Sequence, residues 1–434
     1  MMRSVKMPIA PLEGPLSARS HVPGSRSMTN RALLLAALSD GESTIRDMLR
    51  SEDTEVFVAG LETLGYDVSV DWQALTCRVR GQGGALRCDR ARVWTENAGT
   101  AARFLLALCA ASHGVFEVDG TAQIRRRPVG PLVGALTRLG ARFEPSNAEH
   151  LPLSVHGAGL AGGFAGDTGN EKSSQFLSAV LMVAPLARED VEVDLAGVIS
   201  RPFVEMTTGM MRRFGVETER LSDDRLRIRA PQRYAATNFA VEPDASTASY
   251  FLAAAAISGG TIELPGLLPS RTLQGDVAFV EVLAEMGCTW DETSSGLRLT
   301  GPKTLRAVRV DMNRISDTFM TLAALAPFAD GTTRIEGLAH TRLQESDRLT
   351  AMEDGLRRMG VAVRTGPDWI EIDGGSPTGA EVSGFGDHRI AMSLAIMGLR
   401  VPGVVIDGAE CVKKTCPDYY ERIAHLASGG DARR

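Results

Sequence analysis

Six segments of the chain are apolar on every side rather than along one face: RALLLAAL (31–38), AARFLLALCAA (101–111), FLSAVLMVA (176–184), SYFLAAAAI (249–257), FMTLAALAPFA (319–329) and RIAMSLAIM (389–397). Their length and composition predict helices, and a helix without a polar face must be covered all round. Between them lie amphipathic segments that end in a hydrophobic residue and a glycine: LETLG at Gly65, LTRLG at Gly140, MRRFG at Gly215, LAEMG at Gly287 and LRRMG at Gly360. Each glycine precedes an alternating stretch such as GYDVSVDW or GVAVRTG, the pattern of a helix C-cap followed by a strand.

These glycines recur every 72 to 75 residues. The ends of the apolar helices, near Gly41, Gly114, Asp190, Gly260, Gly331 and Gly403, recur every 70 to 76, each before a β-like run such as TIEL or VVID. Two markers in step along the whole chain predict six copies of a unit of about 72 residues, each with a buried helix, an outer helix and several strands. Three units bury three helices together, so six predict an α/β protein of two similar lobes. Interruptions by Pro and Gly at HVPGS (21–25) and EPDAS (242–246) mark the crossings. One lobe then spans 25–242, and the other 1–24 with 243–434. Two linkers predict hinge closure that excludes water from a bound ligand.

Composition narrows the class. The 434 residues suit two or three cores, and 44% hydrophobic with 23% charged residues is ordinary for a globular protein. A net charge of −6 argues against sequence-independent binding of nucleic acid or acidic membrane. No apolar run approaches the roughly 20 residues that span a bilayer. The N-terminal MMRSVKMPIAPLEG has no apolar core of a secretory signal, so the expected location is the cytoplasm. The six cysteines, Cys77, Cys88, Cys109, Cys288, Cys411 and Cys416, make no CxxC pair and no zinc spacing, which predicts free thiols and no metal site. Only five of the 47 basic residues are lysines, so an arginine in place of a lysine carries little meaning.

Each apolar helix opens with a polar cluster: SMTNR (27–31), NAGTAAR (97–103), EKSSQ (171–175), DASTAS (244–249), ISDT (315–318) and GDHR (386–389). Ser, Thr and Asp there read as N-caps. Capping does not explain Arg31, Arg103 and Arg389, because a cation near the positive end of a helix dipole is unfavourable. Cations at helix N-termini make sense where an anion also sits. The pattern predicts a small polyanionic substrate.

In order and spacing, the blocks PGSRSMTNRALLLAAL, ENAGTAARFL, RRPVGPLVGAL, SSQFLSAVLM, SRPFVEMT, DASTASYFLAAAA, DMNRISDTFMTLA, ESDRL, GDHRIAMS and KTCPDYYE resemble the 5-enolpyruvylshikimate-3-phosphate (EPSP) synthase family over nearly the whole chain. The resemblance implies an α/β fold of two lobes, each of three βαβαββ-type units with the helices inside. It also implies transfer of the enolpyruvyl group of phosphoenolpyruvate (PEP) to shikimate 3-phosphate, without metal or organic cofactor. Small anionic substrates are the expected partners, nucleic acid and membrane are not, and monomer is the family default.

Residue by residue, the resemblance assigns Ser27 and Arg31 to the ring carboxylate and Ser173, Ser174 and Ser200 to the phosphate of the ring substrate. Gln175 bridges both substrates, and Arg26, His340 and Gln344 occupy further substrate-facing positions. Asp317 takes the proton of the attacking hydroxyl, and Glu345 with Lys414 serves proton transfer at the PEP methylene carbon. Arg348, Arg389 and Lys414 hold PEP, with Gly99, Thr100, Arg26 and Gln123 around it. Arginines suit carboxylate and phosphate because their planar fork donates bidentately.

Several positions depart from the family pattern: Arg26 for lysine, Gln123 for arginine, His340 for asparagine, Gln344 for lysine and Phe203 for tyrosine. Gln123 and Gln344 each lose a charge where the family is expected to face phosphate. A charged hydrogen bond is worth about 1.5–3 kcal/mol, so two losses predict binding weaker by roughly a hundredfold or much more unless Lys172, Arg125 or Arg126 compensates. These departures suggest a divergent paralogue. Besides PEP transfer, they leave open a PEP-independent dehydratase acting on an unphosphorylated cyclohexene acid, and a non-catalytic binding protein. The sister family acting on a UDP-sugar is disfavoured by ESDRL, GDHR and KTCPDYY, and by the absence of cysteine from the RRRP segment.

Overall fold

The structure, a computed structural model, describes residues 4–84, 86, 88–170, 173–199 and 201–427. Ser200, Lys172 and the tail after Ala427 lie outside the described residues. The chain forms two compact units, Gly24–Val241 and Met1–Pro23 with Glu242–Arg434.

Twelve α-helices are described: α1 (Arg26–Leu38), α2 (Glu52–Thr63), α3 (Gly99–Ala111), α4 (Gly130–Arg138), α5 (Ser174–Val183), α6 (Arg201–Arg213), α7 (Ala245–Ser258), α8 (Phe279–Glu285), α9 (Phe319–Leu325), α10 (Arg348–Arg358), α11 (His388–Gly398) and α12 (Tyr419–Ala427). Odd and even numbers behave differently, as the patterning requires. All thirteen residues of α3 and all eleven of α11 are buried, whereas α10 buries one face through Leu349, Met352 and Leu356. The five glycines that close α2, α4, α6, α8 and α10 all have positive φ, between 78° and 103°. A left-handed residue there ends the helix and turns the chain into the next strand.

The strands repeat one sheet. His113–Asp119 runs parallel to Arg90–Trp94 and antiparallel to Leu153–Ala158, which in turn pairs with Arg142–Glu144. Thr332–Glu336 has the same neighbours in the same senses, as does Val191–Asp194. Strands distant in sequence complete the remaining sheets. Ser39–Arg46 takes its parallel neighbours from Tyr234–Ala235 and Asn238–Ala240, while Thr261–Pro265 takes Ser17–Arg19. Among the described residues the last unit has no hairpin of its own, and Lys6–Pro8 pairs antiparallel with Val405–Asp407 in its place. Sheets are thus closed by strands distant in sequence, within Gly24–Val241 from its own end and in the other unit from the N-terminal segment. The crossings are pinned by Asp244 N–H to the Pro23 carbonyl and Val241 N–H to the Arg46 carbonyl, both at 2.9 Å.

Close approach of sheet to inner helix sets a second requirement for glycine. A β-carbon on Gly157 would fall 2.4 Å from the Ser112 carbonyl oxygen and 2.6 Å from that of Cys109, at the end of α3. At Gly81 it would meet the carbonyls of Ser39, just past α1, and of Ala36 in α1 at 2.2 and 2.4 Å. All six cysteines are free, and no helix of the described residues is long and apolar enough to cross a membrane.

Gly157→Ala is expected to destabilise the fold by about 1–3 kcal/mol or more, because backbone carbonyls cannot rotate aside. Gly14→Ala, with nothing within 4 Å of the new carbon, is the control. Thermal unfolding should show a clear drop for the first and none for the second; equal behaviour would contradict the packing account.

Candidate active site

In the unit containing α1 to α6, the polar ends of three inner helices are tied together. Arg31, one turn into α1, is 2% exposed. It donates to Thr207 Oγ1 at 2.8 Å, Ser178 Oγ of α5 at 3.0 Å, the Ser27 carbonyl at 3.0 Å and the Phe203 carbonyl at 3.4 Å. Its guanidinium also lies 5.5 Å from the centre of the Phe104 ring of α3. Arg103 of α3 donates to Gln175 Oε1 of α5 and to the Pro128 carbonyl at 3.3 Å, with the Phe176 ring 4.7 Å away.

No carboxylate pairs with either arginine among the described residues. Burial alone pushes Arg31 down to about 9, and burial followed by repulsion from Arg127 pushes Arg103 well down. Arginine stays charged at neutral pH regardless. The shift therefore measures a desolvated cation that lacks its counter-ion.

Capping explains only part of the polar clusters. Ser173 Oγ accepts from Gln175 N–H in α5, Asp244 from Thr247 N–H in α7, and Asp387 from Arg389 N–H in α11. At α1, α3 and α9 no side chain caps the first turn. Expecting caps at all six was too broad, because Ser27 and Thr100 lie inside their helices rather than before them.

The departures from the family pattern also find places. Arg26 is paired with Asp53 of α2 at 3.2 Å, so it reaches a ligand only by leaving that partner. Gln123 is exposed and accepts from Asn97 Nδ2 at 2.9 Å, at the approach to α3. The guanidinium lying on Gly99 belongs instead to Arg127, whose Nη1 is 2.4 Å from where a Gly99 β-carbon would be. Arg125 is held bidentately by Asp119 at 2.7 and 2.8 Å, which corrects its suggested role as a replacement cation. Arg126 is exposed. Phe203 supplies its carbonyl to Arg31, with its ring 6.0 Å from that guanidinium.

The unit containing α7 to α12 is built oppositely, with cations already neutralised. Asp317, in the turn before α9, receives Arg389 at 2.8 Å on one oxygen and Arg348 at 3.1 Å on the other. Arg348 also donates to Asp387 at 2.8 Å and to Gln344 Oε1. A lysine at 344 would bring a like charge to that guanidinium; glutamine accepts from it instead. His340 Nε2 meets Ser316 Oγ at 2.7 Å, and burial lowers its proton affinity.

Glu345 is gripped by Lys414 at 2.7 Å and His388 Nδ1 at 2.9 Å. Burial pushes the Glu345 carboxyl up, but His388 and Lys414 together hold it well below the usual carboxylate range. Burial pulls His388 down more than Glu345 raises it. Glu345, Asp387 and His388 bring three donor atoms within 4.8 Å. Lys414 and Arg348 already balance the two carboxylates, so the cluster does not call for a cation.

Gly99, Thr100, Ser173, Ser174, Gln175, Ser27 and Arg31 thus fall at the three helix ends of one unit. Asp317, His340, Gln344, Glu345, Arg348, Arg389 and Lys414 fall around α9 to α11 of the other. Arg103 was visible only as an anomaly of charge, and Arg127 only as part of the RRRP block. Ser246 was visible only as part of the DASTAS cluster, and Asp276 gave no signal. Their side chains meet in a close hydrogen bond at the start of α7.

A mixed α/β fold of six repeated units, with cations at its helix ends and clamped carboxylates, defines the class of enolpyruvyl-transferase-like folds. The sequence matches EPSP synthase (3-phosphoshikimate 1-carboxyvinyltransferase) over residues 11–423, and the chain belongs to that family. It is 41% identical to the 3-phosphoshikimate 1-carboxyvinyltransferase of Nostoc punctiforme over 98% of this chain and 99% of that protein. It is 43% identical to the one from Syntrophobacter fumaroxidans, over 97% and 99%. Its fold matches the EPSP synthase structure from Acinetobacter baumannii with a TM-score of 0.83 at 25% identity, over 98% of each chain. The enolpyruvyl transferase NikO from Streptomyces tendae shares the fold with a TM-score of 0.77 at 17% identity, over 98% and 97%.

Asp276 sets a pH dependence. Burial first and repulsion from Asp317 second push its carboxyl up to about 7, with the Ser246 hydrogen bond and Arg389 only partly offsetting them. A folded-state value above the unfolded one means that folding binds a proton. Stability contributed by this group is full below about pH 4, falls as pH rises towards 7, and stays lost above that. Asp276→Asn should raise the melting temperature at pH 8 and change it little at pH 4.5; thermal unfolding at both values checks this, and an equal change at both would contradict it.

Proposed function

We propose that the chain transfers the enolpyruvyl (1-carboxyvinyl) group of PEP to a hydroxyl of shikimate 3-phosphate or a closely related ring acid, releasing phosphate. The observation that carries the reading is Arg31 and Arg103, both buried and without a carboxylate, at helix ends joined through α5. Such cations are suited to ligand anions. The ring carboxylate is assigned to Arg31 and Ser27, and the phosphate to the start of α5 at Ser173 and Ser174. PEP is assigned to Arg348, Arg389 and Lys414, and Arg127 on Gly99 offers a further cation for an anionic group.

The chemistry follows from which bonds the ligands break. Asp317 has both oxygens occupied by guanidinium donors, so it is a poor proton acceptor while they stay. The anionic groups of PEP compete for Arg348 and Arg389 and release it. Asp317 then takes the hydroxyl proton as the oxygen attacks C2 of PEP. Lys414 with Glu345 delivers a proton to the methylene carbon. The tetrahedral adduct loses phosphate as Glu345 removes a methyl proton, which restores the carbon–carbon double bond. Positioned acid–base groups typically contribute 10²–10⁴-fold each.

The loss of charge at Gln123 weighs less in this arrangement than the sequence suggests, because Arg127 supplies the cation at Gly99. That reduces the case for a PEP-independent dehydratase. Mixing the protein with PEP and shikimate 3-phosphate should release phosphate and yield a product heavier by one enolpyruvyl group, read by mass spectrometry. Asp317→Ala should lower kcat by roughly 10²–10⁴. Arg127→Gln should raise the KM for PEP roughly tenfold or more, while Gln123→Arg changes it little. Turnover of unphosphorylated shikimate without PEP, or an unchanged KM in Arg127→Gln, would contradict the reading.

A further inference from the structure

Arg103 is an expensive residue to bury. It is 4% exposed, repelled by Arg127, and its Nε has no hydrogen-bond partner. A leucine or methionine at this point of α3 would pack against Phe176 without desolvating a charge. The geometry shows what the guanidinium does in return. One terminal nitrogen donates to Gln175 Oε1, and the other to the carbonyl of Pro128, the residue after Arg127. Its plane is held by the Phe176 ring at 4.7 Å. The Gln175 backbone is fixed separately, its N–H donated to Ser173 Oγ at 3.2 Å.

Arginine has no acceptor atom, so the group it meets on Gln175 must be the amide oxygen. The amide nitrogen is thereby turned the other way, and Gln175 is only partly buried. We infer that Arg103 is a positioning residue that locks the Gln175 amide in one orientation, so that Gln175 meets its ligands as a hydrogen-bond donor only. A freely rotating glutamine would present an oxygen to an anion half the time. Locked, it presents two N–H bonds to phosphate or carboxylate oxygens. The same guanidinium ties down the Arg127–Pro128 segment, so one buried side chain sets two donors of the site. This inference rests on the assignment of anionic substrates to the ends of α3 and α5.

The test is a double-mutant cycle read by calorimetric titration with shikimate 3-phosphate. Arg103→Met and Gln175→Ala should each weaken binding roughly tenfold. The double variant should be no more than about threefold weaker than the worse single one, because Arg103 acts through Gln175. Losses that multiply, or an Arg103→Met protein that binds normally, would overturn the inference. If Arg103→Met does not fold, Arg103→Lys replaces it, since an ammonium cannot fill both ends of the fork; the same non-additivity is expected and full additivity overturns it.

A wild-type protein that does not bind shikimate 3-phosphate would refute the proposed substrate rather than this role. The orientation is then judged by thermal unfolding of Gln175→Glu. A carboxylate turned towards Arg103 should raise the melting temperature, and the gain should largely vanish when Arg103 is also replaced. An equal gain in both backgrounds would reflect only the helix dipole and would overturn the inference.

Discussion

A helix with no polar face can be solvated only at its ends. Six such helices occupy the cores of the two units, and covering them on all sides leaves their N-termini as the places where polar chemistry can gather. The rest of the architecture answers that constraint. Sheets and amphipathic helices form the covering layer, glycines such as Gly81 and Gly157 let the sheet lie against the helix backbone, and strands borrowed from distant sequence close each unit. Function then has few places to go, and the polar clusters are all at those ends.

The two units use the constraint in opposite electrostatic senses. In one, Arg31 and Arg103 are buried against hydroxyls, carbonyls, an amide and aromatic rings, so positive charge is stored without a counter-ion. In the other, Arg348, Arg389 and Lys414 are matched by Asp317, Asp387 and Glu345. The first arrangement favours capture of an anion. The second holds its carboxylates in ion pairs.

Much of this was legible in the sequence. The 3.6-residue and two-residue periods, the recurrent glycine after each outer helix, and the polar opening of each inner helix carried the reading of inner and outer helices. What remained hidden depends on contacts through space. Gln123 and Arg127 stand four residues apart in one block, and only the turn between them reveals that Arg127 lies on Gly99 while Gln123 faces Asn97. Arg125 looked available until Asp119 was seen to hold it. Asp276 lies 30 residues from Ser246 and carries no motif. The strands 234–240 and 6–8 are short and end-on in the pattern, so their partners were set by closure of the sheets rather than by local sequence.

The central claim is that Arg31 waits for a ligand anion and that Arg103 sets the Gln175 donor beside it. A crystal structure of the protein with shikimate 3-phosphate bound tests it most directly. The account predicts the ring carboxylate on Arg31, the phosphate at the start of α5, and the Gln175 amide nitrogen turned towards the ligand. A ligand bound elsewhere, with Arg31 and the α5 terminus keeping only their protein partners, would contradict it.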